Sequence, residues 1–181
     1  LQAPDPALRS LGAEALEHVR SEAAVPALCS ALADSTEGVR YRAAVALEAI
    51  QSEASVPCLL RALNEPETNV RPQALRTLAS LGVEDVVVFS EPLLAHESTR
   101  TRAEAADALG ALGSEAALPL LRPMLHDPEA WVRQEAVIAL LRIGSPRARP
   151  WLEKSQSDQD LEVRIYAAEA LKRLPRAVAS L

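Results

Sequence analysis

Residues 119–140 read PLLRPMLHDPEAWVRQEAVIAL, and the spacing inside this stretch decides the fold. Pro119 is followed eight residues later by Asp127, Asp127 six residues later by Arg133, and an Ala-rich segment then runs to Leu140. The pattern recurs along the chain. Arg9, Arg40, Arg71, Arg102, Arg133 and Arg164 stand 31 residues apart, and a Leu follows each by seven: Leu16, Leu47, Leu78, Leu109, Leu140 and Leu171. A fixed period of this length marks a solenoid, whose units are too small to bury an apolar face alone and bury it against their neighbours.

Composition agrees. Ala, Leu, Glu and Arg dominate, and all are good helix formers. Aromatics make up 3% of the 181 residues and there are six glycines, which disfavours a β-sandwich or barrel. The formal net charge of −6 argues against general binding to nucleic acid or to an anionic membrane surface. The basic residues are almost all Arg, with Lys154 and Lys172 the only lysines. No apolar run, Val86–Phe89 included, approaches the roughly 20 residues a membrane span needs. No secretory leader is legible, and the expected location is cytoplasmic. Cys29 and Cys58 fall on apolar helical stretches, where a free Cys is expected as a small buried hydrophobe. Two cysteines make no disulfide framework.

The period organises the chain as an all-α solenoid of antiparallel helix pairs, about eleven helices in a right-handed superhelix. Residues 1–20 form a half repeat, pairs follow over 21–51, 52–82, 83–113, 114–144 and 145–175, and 176–181 is a tail, all in one domain. Ser21, Ser52, Ser114 and Ser145 can cap helix starts, while Gly82, Gly113 and Gly144 suit the left-handed position that closes a helix. Pro26, Pro57, Pro119 and Pro150 lie near the start of each first helix, so the first turn is expected to be irregular, with regular helix from the Pro onward. First helices bury Val25, Leu28 and Leu32, or Leu118, Leu121 and Leu125. Second helices bury Val39, Ala43, Leu47 and Ile50, or Val132, Ala136, Leu140 and Ile143. The Ala three residues after all but the first Arg (Ala43, Ala74, Ala105, Ala136, Ala167) lets neighbouring helices approach closely.

Three places depart from the pattern. The third pair has Val88 where Pro is expected and Pro92 four residues later. Pro72 disfavours helical geometry at Arg71, so that second helix is expected to start late. In the fifth pair, Arg149, Ser155 and Gln156 replace apolar residues, as in a terminal repeat, so the array is expected to end near Leu181. The unpaired first helix suggests an array that continued upstream.

The Pro–Asp–Arg spacing resembles the HEAT repeat family, and the "VRxxAxxAL" second helix is most similar to the bacterial HEAT-like repeats of the phycobilisome lyase type. The resemblance implies an Asp–Arg ladder: Asp34 with Arg40, Asp127 with Arg133, and Asp158 with Arg164. Glu65 is a longer substitute beside Arg71, while His96 before Arg102 and Ala3 before Arg9 lack the acid. These arginines are expected to be structural, tying loops and neighbouring repeats together.

No constellation for catalysis stands out, and no cofactor is expected. His18, His96 and His126 share no metal-ligand spacing. HEAT-type deoxyhypusine hydroxylases need several His-Glu pairs, and only His96-Glu97 occurs. HEAT-like DNA glycosylases use a basic groove, at odds with the acidic balance. No Gly-rich phosphate loop or nucleophile elbow is present.

What remains is surface. In such arrays the second helices line the concave face, where positions one, two, five, eight and nine after each Arg point outward. These include Tyr41, Arg42, Val45, Glu48 and Arg76, then Glu104, Asp107, Glu135, Ile138, Leu141, Arg142, Ile165, Tyr166 and Lys172. Ile138, Leu141, Ile165 and Tyr166 either form one apolar patch flanked by Glu104, Asp107 and Glu135, or tuck between helices. Trp131 and Trp151 are each either a binding anchor or core filling, with burial expected. The expected function is a non-enzymatic scaffold that binds another protein on its concave face. A lyase-like or lyase-accessory module acting on a tetrapyrrole-bearing protein is the alternative that the resemblance implies.

Overall fold

The computed structural model describes residues 1–64 and 70–175, and among them every regular element is helical. The chain divides into two compact units, Leu1–Val83 and Glu84–Leu181. The first holds α1 (Pro6–Val19), α2 (Val25–Ala31), α3 (Glu37–Ile50), α4 (Val56–Asn64) and α5 (Arg71–Ser80). The second holds α6 (Val86–Leu94), α7 (Thr99–Leu112), α8 (Leu118–Met124), α9 (Ala130–Ile143), α10 (Arg149–Ser155) and α11 (Leu161–Arg173). In the first unit α3 packs between α1 and α5, with α2 against α3 and α4 against α5. In the second, α9 packs between α7 and α11, and α6, α8 and α10 back onto α7, α9 and α11. This is an α-solenoid of helix pairs at the expected register.

The starts of the first helices show how proline sets local structure. Glu22–Ala24, Glu53–Ser55, Glu115–Ala117 and Pro146–Ala148 each form one tight 3₁₀ turn. The α-helix then begins one residue before the Pro, which occupies its first turn, where the missing N–H costs nothing. Ser52, Ser114 and Ser145 accept a backbone N–H two residues on, whereas Ser21 caps nothing. Gly113 and Gly144 close α7 and α9 at φ +71° and +70°. Arg20 and Gln51 take the left-handed place after α1 and α3, at φ 51° and 55°. Pro92 stands inside α6. The other second helices begin three residues before their Arg, but α5 begins at Arg71 itself, with Pro72 in its first turn.

The core follows the period. Leu47, Leu78, Leu109 and Leu140 are fully buried, as are the five alanines three places after each Arg from Ala43 to Ala167. Burying each such Leu stabilises by about 1.5–3 kcal/mol. The tightest approach is at Gly110 of α7: a Cβ there would lie 2.6 Å from the Ala139 Cα of α9. Sequence reasoning credited the alanines with this closeness and overlooked the glycine.

Two expectations are corrected. Cys29 of α2 and Cys58 of α4 form a disulfide rather than two free buried thiols, with Cα atoms 5.6 Å apart. The bond joins the first helices of adjacent repeats. Their 29-residue separation misses the period by two because the cysteines occupy facing flanks, not equivalent sites. Trp131 is 46% exposed rather than buried. It stands two residues before its Arg, a place held by the exposed Gly38, Arg100 and Glu162 in other repeats.

Candidate functional site

The Asp–Arg ladder is real, but its pairing differs from the expected one. Arg9, Arg102 and Arg133 each reach forward to the acid of the next repeat, 25 residues on. Arg9 donates Nε and Nη2 to the Asp34 carboxylate at 2.7 and 2.9 Å, Arg102 to Asp127 at 2.8 and 3.0 Å, and Arg133 to Asp158 at 2.9 and 2.8 Å. So Arg9 and Arg102, expected to lack an acid, have one. The Asp six residues before an Arg is not its carboxylate partner. Instead Nη1 of Arg40, Arg133 and Arg164 donates to the backbone oxygen of Asp34, Asp127 and Asp158. Each acid in turn accepts an N–H two residues on, from Thr36, Glu129 or Asp160. The Asp34, Asp127 and Asp158 loops are thus held from two sides: the loop's own Arg satisfies its carbonyls, and the preceding Arg anchors its carboxylate.

Fork-to-fork pairing of this kind is the strong form of a charge-assisted hydrogen bond. Arg9 first, then the Thr36 N–H, hold Asp34 at about 2, below its ordinary 3.8. Burial pushes Asp127 upward, yet Arg102 and the Glu129 N–H outweigh it and the net shift is down. Arg133 lowers Asp158 in the same way. Arg40 Nε is buried without a partner among the described residues, and Glu65 lies outside them. Arg71 is half-buried at the start of α5.

The second-helix face of the second unit carries the residues singled out for partner binding. Glu104 pairs with Arg100, and Asp107 with Arg142 of α9. Glu135, Ile138 and Leu141 are half-buried, while Ile165 and Tyr166 are 55% and 39% exposed. In the first unit the same face pairs Arg42 with Glu14, and Gln73 donates to Glu48. None of the outward residues named from the sequence is fully buried, although Ala79, Ala103 and Gly110 at the same register positions are. The three histidines do not converge: His18 bonds the Glu14 oxygen and His96 accepts the Ser98 N–H, each within its own turn. Among the described residues no three His, Cys, Asp or Glu side chains are grouped to hold a metal ion. None of the described helices is long and apolar enough to cross a membrane.

Stacked helix pairs with loops clamped by a forward-reaching Arg define a repeat protein of the α-solenoid class. The model of the HEAT repeats family matches residues 1–79, 59–140 and 87–172, and the chain belongs to that family. Among solved structures it is 28% identical to a chain of the complex of CpcE and CpcF of phycocyanin lyase from Nostoc sp. PCC7120. That likeness has a TM-score of 0.69 and covers 94% of this chain and 72% of that one. A designed armadillo repeat protein, YIII(Dq.V1)4CPAF, solved in complex with the peptide (KR)4, is 24% identical over 96% of both chains, with a TM-score of 0.68. An engineered protein, target OR329, is 22% identical over 96% of this chain and 93% of its own, with a TM-score of 0.66. The last two likenesses show the fold alone. No curated protein matches the chain significantly.

Proposed function

We propose that the protein binds another protein through the second-helix face of residues 84–181, acting as a scaffold rather than as a catalyst. The contact set is Glu104, Asp107, Glu135, Ile138, Leu141, Ile165 and Tyr166. The observation that carries this reading is the exposure of Ile165 and Tyr166 on α11, beside the half-buried Ile138 and Leu141 of the adjacent α9. Large apolar side chains kept in water on a rigid helix face, with acids nearby, suit a protein partner. Register supports their adjacency: Leu141 and Tyr166 stand 93 residues after Glu48 and Gln73, which are hydrogen-bonded to each other. The two units working as one domain over 1–181 is part of the same proposal. The Cys29–Cys58 disulfide favours an oxidising compartment over the cytoplasmic location expected from sequence.

Parallel pull-downs with the full chain and with Ile138→Asp/Tyr166→Ala test this. The expected result is a partner captured by the first and lost by the second, with circular dichroism and melting unchanged. A partner retained by the variant counts against the site, and a variant that unfolds shows these residues to be core.

A second reading has one observation in its favour, the 28% identity to the phycocyanin lyase complex. On it, the chain is a lyase-like or lyase-accessory module acting on a tetrapyrrole-bearing protein. Co-expression with a bilin and its acceptor subunit, followed by absorbance, tests it: chromophore transfer supports the reading, and its absence removes it.

A further inference from the structure

Away from the second-helix face, α8, α10 and the turns that follow them line an open cleft of about 230 Å³. Its wall carries Arg122, Leu125, His126, Trp151, Lys154 and Ser157. Arg122 lies over the Trp151 ring, 5.6 Å from its centroid. The contact holds the Arg122 guanidinium at the cleft wall and uses none of its N–H donors. Among the described residues, Arg122, His126 and Lys154 have no ion-pair partner. The one acid on the wall, Asp158, is committed: both its oxygens accept from Arg133, and one also takes the Asp160 N–H. Three basic groups and a free-standing hydroxyl therefore face one cleft, in a chain whose net charge is −6.

The repeat register shows that Arg122 and His126 do not belong to the repeating pattern. The ladder arginines and the core leucines that follow them recur every 31 places. Arg122 recurs nowhere: Cys29, Leu60, Glu91 and Glu153 fill the equivalent sites. His126 likewise stands where Ala33, Asn64, Ala95 and Ser157 fall.

We propose that this cleft binds a small phosphate-bearing molecule. A guanidinium edge, an ammonium, an imidazole and a hydroxyl approach from different elements, which matches a tetrahedral dianion with several acceptor oxygens. A planar carboxylate is satisfied by one Arg fork and leaves the remaining donors idle. Trp151 supplies a stacking wall and a built-in reporter.

Titration of the full-length Trp131→Phe chain with inorganic phosphate, at constant ionic strength set by chloride, follows Trp151 emission alone. The account expects a saturable change at millimolar phosphate, matched by heat in calorimetry. Lys154→Gln removes an exposed charge without touching the core and is expected to weaken binding roughly tenfold. Arg122→Gln, followed by calorimetry because it alters the Trp151 environment, is expected to weaken it at least as much. No saturable response overturns the proposal. Equal affinity for succinate overturns the preference for phosphate, and undiminished binding by both variants overturns the site.

Discussion

The Arg122–Trp151 contact of the second unit occupies the place of the Cys29–Cys58 disulfide of the first. Each of its residues lies 93 positions, three full periods, after its cysteine counterpart. The same junction between neighbouring first helices is closed covalently in one unit and by a guanidinium over an indole in the other. A solenoid leaves such junctions free to vary, because the clamped loops and the second-helix core already fix the register.

The disulfide closes a loop of about 30 residues, worth on the order of 3 kcal/mol by chain entropy. Reduction, or Cys29→Ser with Cys58→Ser, is expected to lower the melting temperature of the first unit and leave the second unchanged. Trp151→Leu is expected to cost the second unit far less, about 1 kcal/mol. Thermal melts with exchange-resolved protection of each unit check both.

The depressed acids predict the response to pH. A carboxylate whose folded value lies below its unfolded one adds stability above the unfolded value and loses it as pH falls through the folded one. For Asp34 the window runs from the ordinary 3.8 down to about 2. Asp34→Asn is therefore expected to be less stable than the parent at pH 5, with the gap narrowing as the pH is lowered to 2. Chemical denaturation at several pH values measures it, and a gap that stays constant contradicts the assignment.

Gly110→Ala is expected to destabilise, although Ala is the better helix former. The added Cβ meets the Ala139 backbone at 2.6 Å, and overpacking of this kind costs about 1–3 kcal/mol against roughly 0.5–1 gained from propensity. Gly38→Ala, with nothing within 4 Å of the new Cβ, is the control and is expected to be neutral or stabilising.

The sequence was most informative where a feature repeats. The helix pairs and the proline-led first turns follow from one period, and the late start of α5 from a proline that interrupts it. It was least informative where a contact joins non-equivalent flanks of successive helices. Cys29 with Cys58, and Arg122 with Trp151, are offset from the period by two, so the period points to neither contact. The ladder failed for a related reason. An Asp and an Arg six residues apart look like partners along the chain, yet the helix start between them turns the guanidinium toward the next loop. Trp131 was legible after all: its register position is exposed in other repeats, and residue type was given more weight than place.

Arg9, Arg102 and Arg133 each serve the repeat ahead of their own. Double-mutant cycles on Arg133 measure this directly, pairing Arg133→Ala once with Asp158→Ala and once with Asp127→Ala. The account predicts a coupling of about 1–3 kcal/mol with Asp158, and little with Asp127, whose backbone oxygen survives the substitution. A coupling to Asp127 that matches or exceeds the one to Asp158 contradicts it.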